Sequence, residues 1–193
     1  MPRLAAASAG TTTGFADVAF VRSVAIVRRS SSSTHGPRAV RLDTFPIITN
    51  QVGYHLFDFR PEEEVFPFCT DNGMGAMAYG SLAHGLLTGM MTPETQFEED
   101  DWRRSLMAFG QPLFKGETFL RNLGKVEALK NIASEKGMTV AQLALAWVIS
   151  NPAVSVALVG TRRAAEMEEN VKAAEWMMGE EERDAIRAVI TGE

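Results

Sequence analysis

The chain has 193 residues, enough for one ordinary domain and too few for two full-sized ones. Hydrophobic residues make up 46% and charged residues 22%, a balance that excludes collagen-like, coiled-coil, mucin-like and wholly disordered chains. The single cysteine, Cys69, cannot close an internal disulfide, which excludes a stapled secreted scaffold and points to a reducing, cytoplasmic setting. No apolar run approaches a membrane span, and a net charge of −5 argues against nucleic acid as a partner.

That charge is unevenly spread. Residues 1–42 hold six arginines and one acid, a balance of +5, so residues 43–193 carry −10. The break predicts a boundary near Asp43, with a low-complexity basic arm over 1–42 and a folded domain over 43–193. Within the arm, FADVAFVRSVAIV could form one strand, but Arg22 interrupts it and no cap or turn organises the rest. Its arginine and serine enrichment also resembles an organellar transit peptide; the competing readings are an unstructured arm or a segment that never belonged to a folded domain.

From Phe45 the pattern becomes regular. PIITNQV reads as a short strand rich in β-branched residues. Arg60-Pro61 followed by Glu62, Glu63 and Glu64 predicts a helix start, with proline early and carboxylates in the positive first turn. That helix runs through Val65, Phe66 and Phe68 to Asn72-Gly73, with a bend at Pro67. MGAMAY reads as a buried strand entering the loop GSLAHGLLTG. Residues 80–118 show no sustained period and predict a long connection, of the kind that usually serves a binding site.

Next, Leu120, Leu123, Val126, Leu129, Ile132 and Ala133 predict the apolar stripe of a helix ending at Gly137. Thr139 and Gln142 form a capping box that opens VAQLALAWVIS, which Pro152 terminates. SVALVG reads as another buried strand, followed by helices over about 164–175 and 180–190. Strand, helix, strand, two helices, strand, helix predicts an α/β fold with parallel strands and crossover helices. The pattern fits a doubly wound sheet or part of a (β/α)8 barrel equally well.

Two segments carry the candidate chemistry. Val159-Gly160-Thr161-Arg162-Arg163 joins a strand end to a helix start, where free N–H groups, the helix dipole and two arginines suit phosphate; a plain turn with solvated arginines is the alternative. Tyr79-Gly80-Ser81-Leu82, at the end of the preceding strand, could offer an aromatic face and hydrogen-bond donors to a flat ring, or Tyr79 could simply pack. In a barrel, loops after the last two strands often hold phosphate, and these two segments are consecutive.

The stretch from Gln51-Val52 and Tyr54 through RPEEEVFPFC, AYGSLAHGLLTG, VEALKNIASEKGMTVAQLALAWVISNP and VALVGTRRAAEMEEN resembles the C-terminal half of aldo-keto reductases. The resemblance covers about residues 45–190. It implies a partial (β/α)8 barrel, about strands 6 to 8 with their helices, that binds NADP or NAD. By the same resemblance Gln51 would meet the nicotinamide carboxamide and Tyr79 would stack on its ring. Gly80, Ser81 and Leu82 would line the ribose and pyrophosphate. Gly160, Thr161 and Arg162 would take the adenosine phosphate, and Glu169 and Asn170 the adenine edge. Two departures stand out: Glu166 occupies a position commonly Gln or Arg, where its charge would repel a 2′-phosphate, and Met90 replaces a common lysine.

The family's catalytic tyrosine, lysine, histidine and aspartate come from the first four strands. Here no tyrosine precedes Tyr54 and no lysine precedes Lys115, so no catalytic residue is assigned, and no metal site. A complete barrel needs about 250 residues. The resemblance therefore implies an NAD(P)-binding part of an oxidoreductase, catalytically incomplete alone, that reduces a small carbonyl substrate only when the missing half is supplied. The partner would be that complementary half-barrel or a second copy. The alternatives are a non-catalytic dinucleotide-binding or regulatory module, as channel-associated family members illustrate, and an unstable fragment.

Overall fold

A computed structural model of the chain describes residues 47–108 and 110–192; the arm expected over 1–42 lies outside them. Three parallel strands, β1 (Thr49–Gly53), β2 (Gly75–Tyr79) and β3 (Val154–Ala157), form one sheet in the order β1-β2-β3. Helix α1 (Val65–Asp71) connects β1 to β2, while α2 (Gly116–Glu135) and α3 (Val140–Ile149) connect β2 to β3. Helices α4 (Ala164–Val171) and α5 (Glu180–Thr191) follow. No helix among the described residues is long and apolar enough to cross a membrane.

The central strand β2 alternates as a one-sided sheet should, while a register irregularity beside Ala76 and Met77 sets Val154 and Val156 of β3 on different faces. Ala76, Ala78 and Val154 are buried toward the helices, and Gln51, Met77 and Val156, which share one register level, lie on the other face, with Gln51 and Val156 exposed. A doubly wound sheet would cover both faces with helices; in the described residues only one is covered. Helix α3 is buried from Val140 to Val148, because the sheet lies on one side of it and α2, α4 and the 3-10 turn Lys172–Glu175 on others. Enclosure explains why its sequence is apolar around most of its circumference.

Several expected boundaries shift. The segment after β1 is not one bent helix: a 3-10 turn, Arg60–Glu62, precedes a separate α1. Pro67 sits in the first turn of α1, where backbone N–H groups have no intrahelical partner, so it breaks nothing. In α2 the buried residues are Phe119, Asn122, Val126, Leu129 and Ala133, whereas Leu120, expected in the stripe, is half exposed. Strand β3 begins at Val154 and ends at Ala157, short of the expected Gly160, and it is not buried as expected: Ser155 and Val156 are exposed because no described element covers that side. The capping box forms as expected: the Thr139 side chain accepts from the Gln142 N–H, and Gln142 Oε1 accepts from the Thr139 N–H at 2.9 Å.

Behind the sheet, one polar knot ties three distant segments. The Tyr54 hydroxyl, fully buried after β1, donates to Glu62 and accepts from Asn151 Nδ2 at 3.2 Å and Arg183 Nη2 at 3.0 Å. Arg183 and Arg187 of α5 both pair with Glu62. Trp147 stacks on Tyr54 at 5.1 Å, lies under the Arg183 guanidinium and donates its Nε1–H to the Arg183 carbonyl. Burial and the Glu62 bond hold the Tyr54 hydroxyl well above its ordinary pKa. Removing one partner from a buried ionic cluster strands the other charge. Arg183→Met should therefore lower unfolding free energy in urea by roughly 3 kcal/mol, while Lys130→Ala, which removes an exposed pair with Glu127, should change it by under about 0.5 kcal/mol.

Candidate functional site

Because β2 and β3 are parallel neighbours, the turn after Tyr79 and the segment after Ala157 emerge at the same end of the sheet. The turn is tightly built. Gly80 has φ +67°, a left-handed conformation that glycine adopts without strain. The Ser81 hydroxyl donates to the Ala78 carbonyl at 3.1 Å, and the Ala83 N–H to the Gly80 carbonyl at 2.7 Å. Ala83 and His84 then take positive φ of 47° and 58°, a strained arrangement for non-glycine residues that the surrounding packing must hold. Leu86 and Leu87 are buried anchors, and Gly89 closes against Val140 and Lys130, where a Cβ would lie 2.8 and 2.7 Å from their side chains.

The long connection folds back over this turn as a strap. Asp101 caps the 3-10 turn Trp102–Ser105 and binds the Arg103 guanidinium. Arg103 also donates to the His84 carbonyl at 3.0 Å and lies over Phe97 at 4.8 Å. His84 stands between His55 and Trp102, with ring centroids 5.7 and 5.1 Å away. A cleft of about 620 Å³ opens between turn, strap and the segment after β3; its walls include Gly80, Ser81, Leu82, Asp101, Gly160 and Arg162. A neighbouring recess of about 360 Å³ is bounded by Gly53, His55, Arg60 and Tyr79, and His84 lines both.

At the start of α4 the chain supplies its own anion. Glu166 accepts from the Arg162 N–H at 2.9 Å and from the Arg163 guanidinium at 2.8–2.9 Å. The Arg162 N–H, then Arg163, hold its carboxyl below the usual range. Asp101 is pulled down to about 2, first by the Arg103 side chain and less by Arg162. Helix α4 is tied to the core through the capping-box residue, since Gln142 Nε2 donates to the Glu169 carbonyl at 2.8 Å.

The family model described as Aldo/keto reductase family matches residues 22–191. The chain belongs to this family. It is 35% identical over 155 residues to an aldo-keto reductase of Bacillus subtilis, covering 78% of this chain and 45% of the relative. It is 35% identical over 147 residues to a probable voltage-gated potassium channel subunit beta of Arabidopsis thaliana, covering 71% and 41%. The structure of a glycerol dehydrogenase from Gluconobacter oxydans superposes with a TM-score of 0.72 at 27% identity, covering 80% of this chain and 45% of that one. The chain thus spans under half the length of these relatives, and its three-stranded sheet is a partial (β/α)8 barrel.

For this aldo-keto reductase chain, the sites read from sequence fall into groups. Gly80, Ser81, Leu82, Gly160 and Arg162 line one cleft, and Tyr79 bounds the adjoining recess. Gln51 lies on the same sheet face as Tyr79, one level back. Thr161, Glu166, Glu169 and Asn170 line neither cavity; the last three lie on α4. In the sequence His84 reads as a loop residue and not a catalytic one, and the strap residues Asp101, Trp102 and Arg103 carry no assignment. The Asp-x-Arg capping pair was the available signal, but its meaning depends on where the strap folds.

His55 provides a pH test of this geometry. Burial, with His84 nearby, lowers it to about 4, against about 6.5 unfolded; burial lowers His84 as well. Between those values the unfolded chain binds more protons, so the stabilisation from His55 is complete above about pH 6.5 and is lost toward pH 4, by up to roughly 1.4 kcal/mol per pH unit. His55→Asn should make that acid limb shallower in urea melts recorded from pH 7 to 4, leaving the contributions of His84 and of the carboxylates held below their usual range.

Proposed function

We propose that this chain is the NAD(P)-binding C-terminal part of an aldo-keto oxidoreductase, and that alone it binds the dinucleotide without turning over a carbonyl. The observation that carries the reading is the shared cleft: Gly80, Ser81 and Leu82 after β2 meet Gly160 and Arg162 after β3, and the Tyr79 recess adjoins it across His84. The residues present fit the group. A Cβ on Gly160 would meet nothing within 4 Å, so a phosphate can approach that backbone closely, and Arg162 is exposed there to pair with it.

The reduced nicotinamide, when bound, would supply a hydride to the carbonyl carbon of an aldehyde or ketone. This chain's part is to bind and orient. Tyr79 and Gln51 share the sheet face toward the ring, Arg162 receives the adenosine phosphate, and Glu169 and Asn170 are carried on α4 for the adenine edge. Neither tyrosine suits the proton donor's role: Tyr54 is locked in the polar knot with a raised pKa, and Tyr79 is assigned to the ring. Turnover would need the first βα units of a barrel, supplied as a complementary half.

Glu166 bears on which dinucleotide is taken. It already holds the Arg162 N–H and the Arg163 guanidinium, so a 2′-phosphate would have to displace a carboxylate of like charge, and NADH is favoured. The Arabidopsis relative, described as a probable potassium channel subunit beta, keeps a second reading in view, a regulatory module that holds a dinucleotide without catalysis.

Titration of the full chain with NADH and NADPH, followed by cofactor fluorescence, tests this. NADH should bind, Glu166→Gln should strengthen NADPH relative to NADH by about fivefold, equivalent to about 1 kcal/mol, and Arg162→Ala should weaken NADPH more than NADH. No binding of either dinucleotide would overturn the reading. Carbonyl reduction after mixing with an aldo-keto reductase N-terminal half would support the oxidoreductase reading over the regulatory one.

A further inference from the structure

Gly53 ends β1 directly opposite Tyr79 in the parallel register. A Cβ built on Gly53 would lie 3.2 Å from both Cζ and the hydroxyl oxygen of Tyr79 and 3.3 Å from Cε2. The phenol end of the Tyr79 ring therefore rests across the bare backbone of β1. Gly53 lies in a strand and lacks the left-handed φ that would by itself call for glycine. Glycine inside a strand is unfavourable unless something approaches closely, and here the approaching group is the Tyr79 ring.

We propose that Gly53 is a positioning residue for the ring-stacking surface of Tyr79. This rests on the dinucleotide reading above and adds a determinant that the sequence did not reveal. Tyr79 would otherwise have to stand up from the sheet, into the recess it bounds with His55 and His84. With Gly53 beneath it, the ring lies back and leaves the recess open for a flat ligand ring. A methyl at position 53 would push the phenol outward by a few tenths of an ångström, and a branched side chain by more, tilting the surface on which the ligand stacks.

Two measurements on the full chain decide this. The sequence holds only two tyrosines, Tyr54 and Tyr79, so 3-fluorotyrosine labelling gives two fluorine resonances, which Tyr79→Phe assigns. Gly53→Ala should move the Tyr79 resonance more than that of Tyr54; an unmoved Tyr79 resonance would overturn the contact. In NADH titrations, Gly53→Ala should weaken binding about threefold and Gly53→Val about tenfold or more, with thermal midpoints recorded to confirm folding. In a Tyr79→Ala background neither change should weaken binding further, because no ring remains to be tilted. Equal losses in both backgrounds would overturn the positioning role. If the unaltered chain fails to bind NADH, the dinucleotide reading falls, while the fluorine result still decides whether Gly53 seats Tyr79.

Discussion

The polar knot at Tyr54 is the interaction on which the rest of the molecule hangs. A short chain segment leaves β1, and its first side chain is gripped by Glu62, Asn151 and Arg183, contributed by the 3-10 turn, the end of the α3 connection and α5. None of these segments is local to another, and Trp147 fills the space between them. Such a cluster is intolerant of partial loss, because each charge is kept from water by the groups that neutralise it. By holding the β1 exit in place it also sets the positions of Gly53 and His55, and through them the recess beside the cleft. One of the two tyrosines in the chain is thereby committed to architecture.

Much of the positive charge around the cleft is paired before any ligand enters, and Glu98 and Asp100 add further acids to its wall. Arg103 is held by Asp101, Arg163 by Glu166, and the first free N–H of the segment before α4 is taken by the same glutamate. An anion binding here meets donors that are already oriented and acids that oppose it. The Arg163–Glu166 pair lies at the surface, where such pairs are individually weak, whereas Arg103 and Asp101 are largely shielded; each further negative charge on a ligand adds repulsion. In the function proposed above, discrimination among dinucleotides would rest on Glu166 in the first turn of α4.

Much of this was legible in the order of residues. The capping box at Thr139, the mostly apolar α3 and the buried strand GAMAY depend on local pattern, and local pattern is what sequence displays; the last strand was legible in place but not in its bounds. The two loop ends that line the cleft were also legible as segments, since glycine, serine and arginine gather at consecutive strand termini, although an ordinary turn uses the same residues. What escaped was set by three-dimensional neighbours. Pro67 fell at a helix start because the preceding turn closed three residues early, and Leu120 faced solvent because Phe119 took the buried side. His84 is a wall between two cavities only because the strap presses Trp102 and Arg103 against it. Gly53 carries no pattern at all; its meaning lies in a ring from the adjacent strand.

The distribution of indoles follows from the same architecture. Trp147 and Trp176 are enclosed, the latter beneath Lys136, while Trp102 on the strap is 50% exposed and touches His84. The intrinsic emission of the protein therefore divides into a blue, shielded component from the interior and a redder one open to collisional quenchers such as iodide or acrylamide. The chain carries its own optical marker at the mouth of the cleft, and the strap can be watched there without attaching a dye.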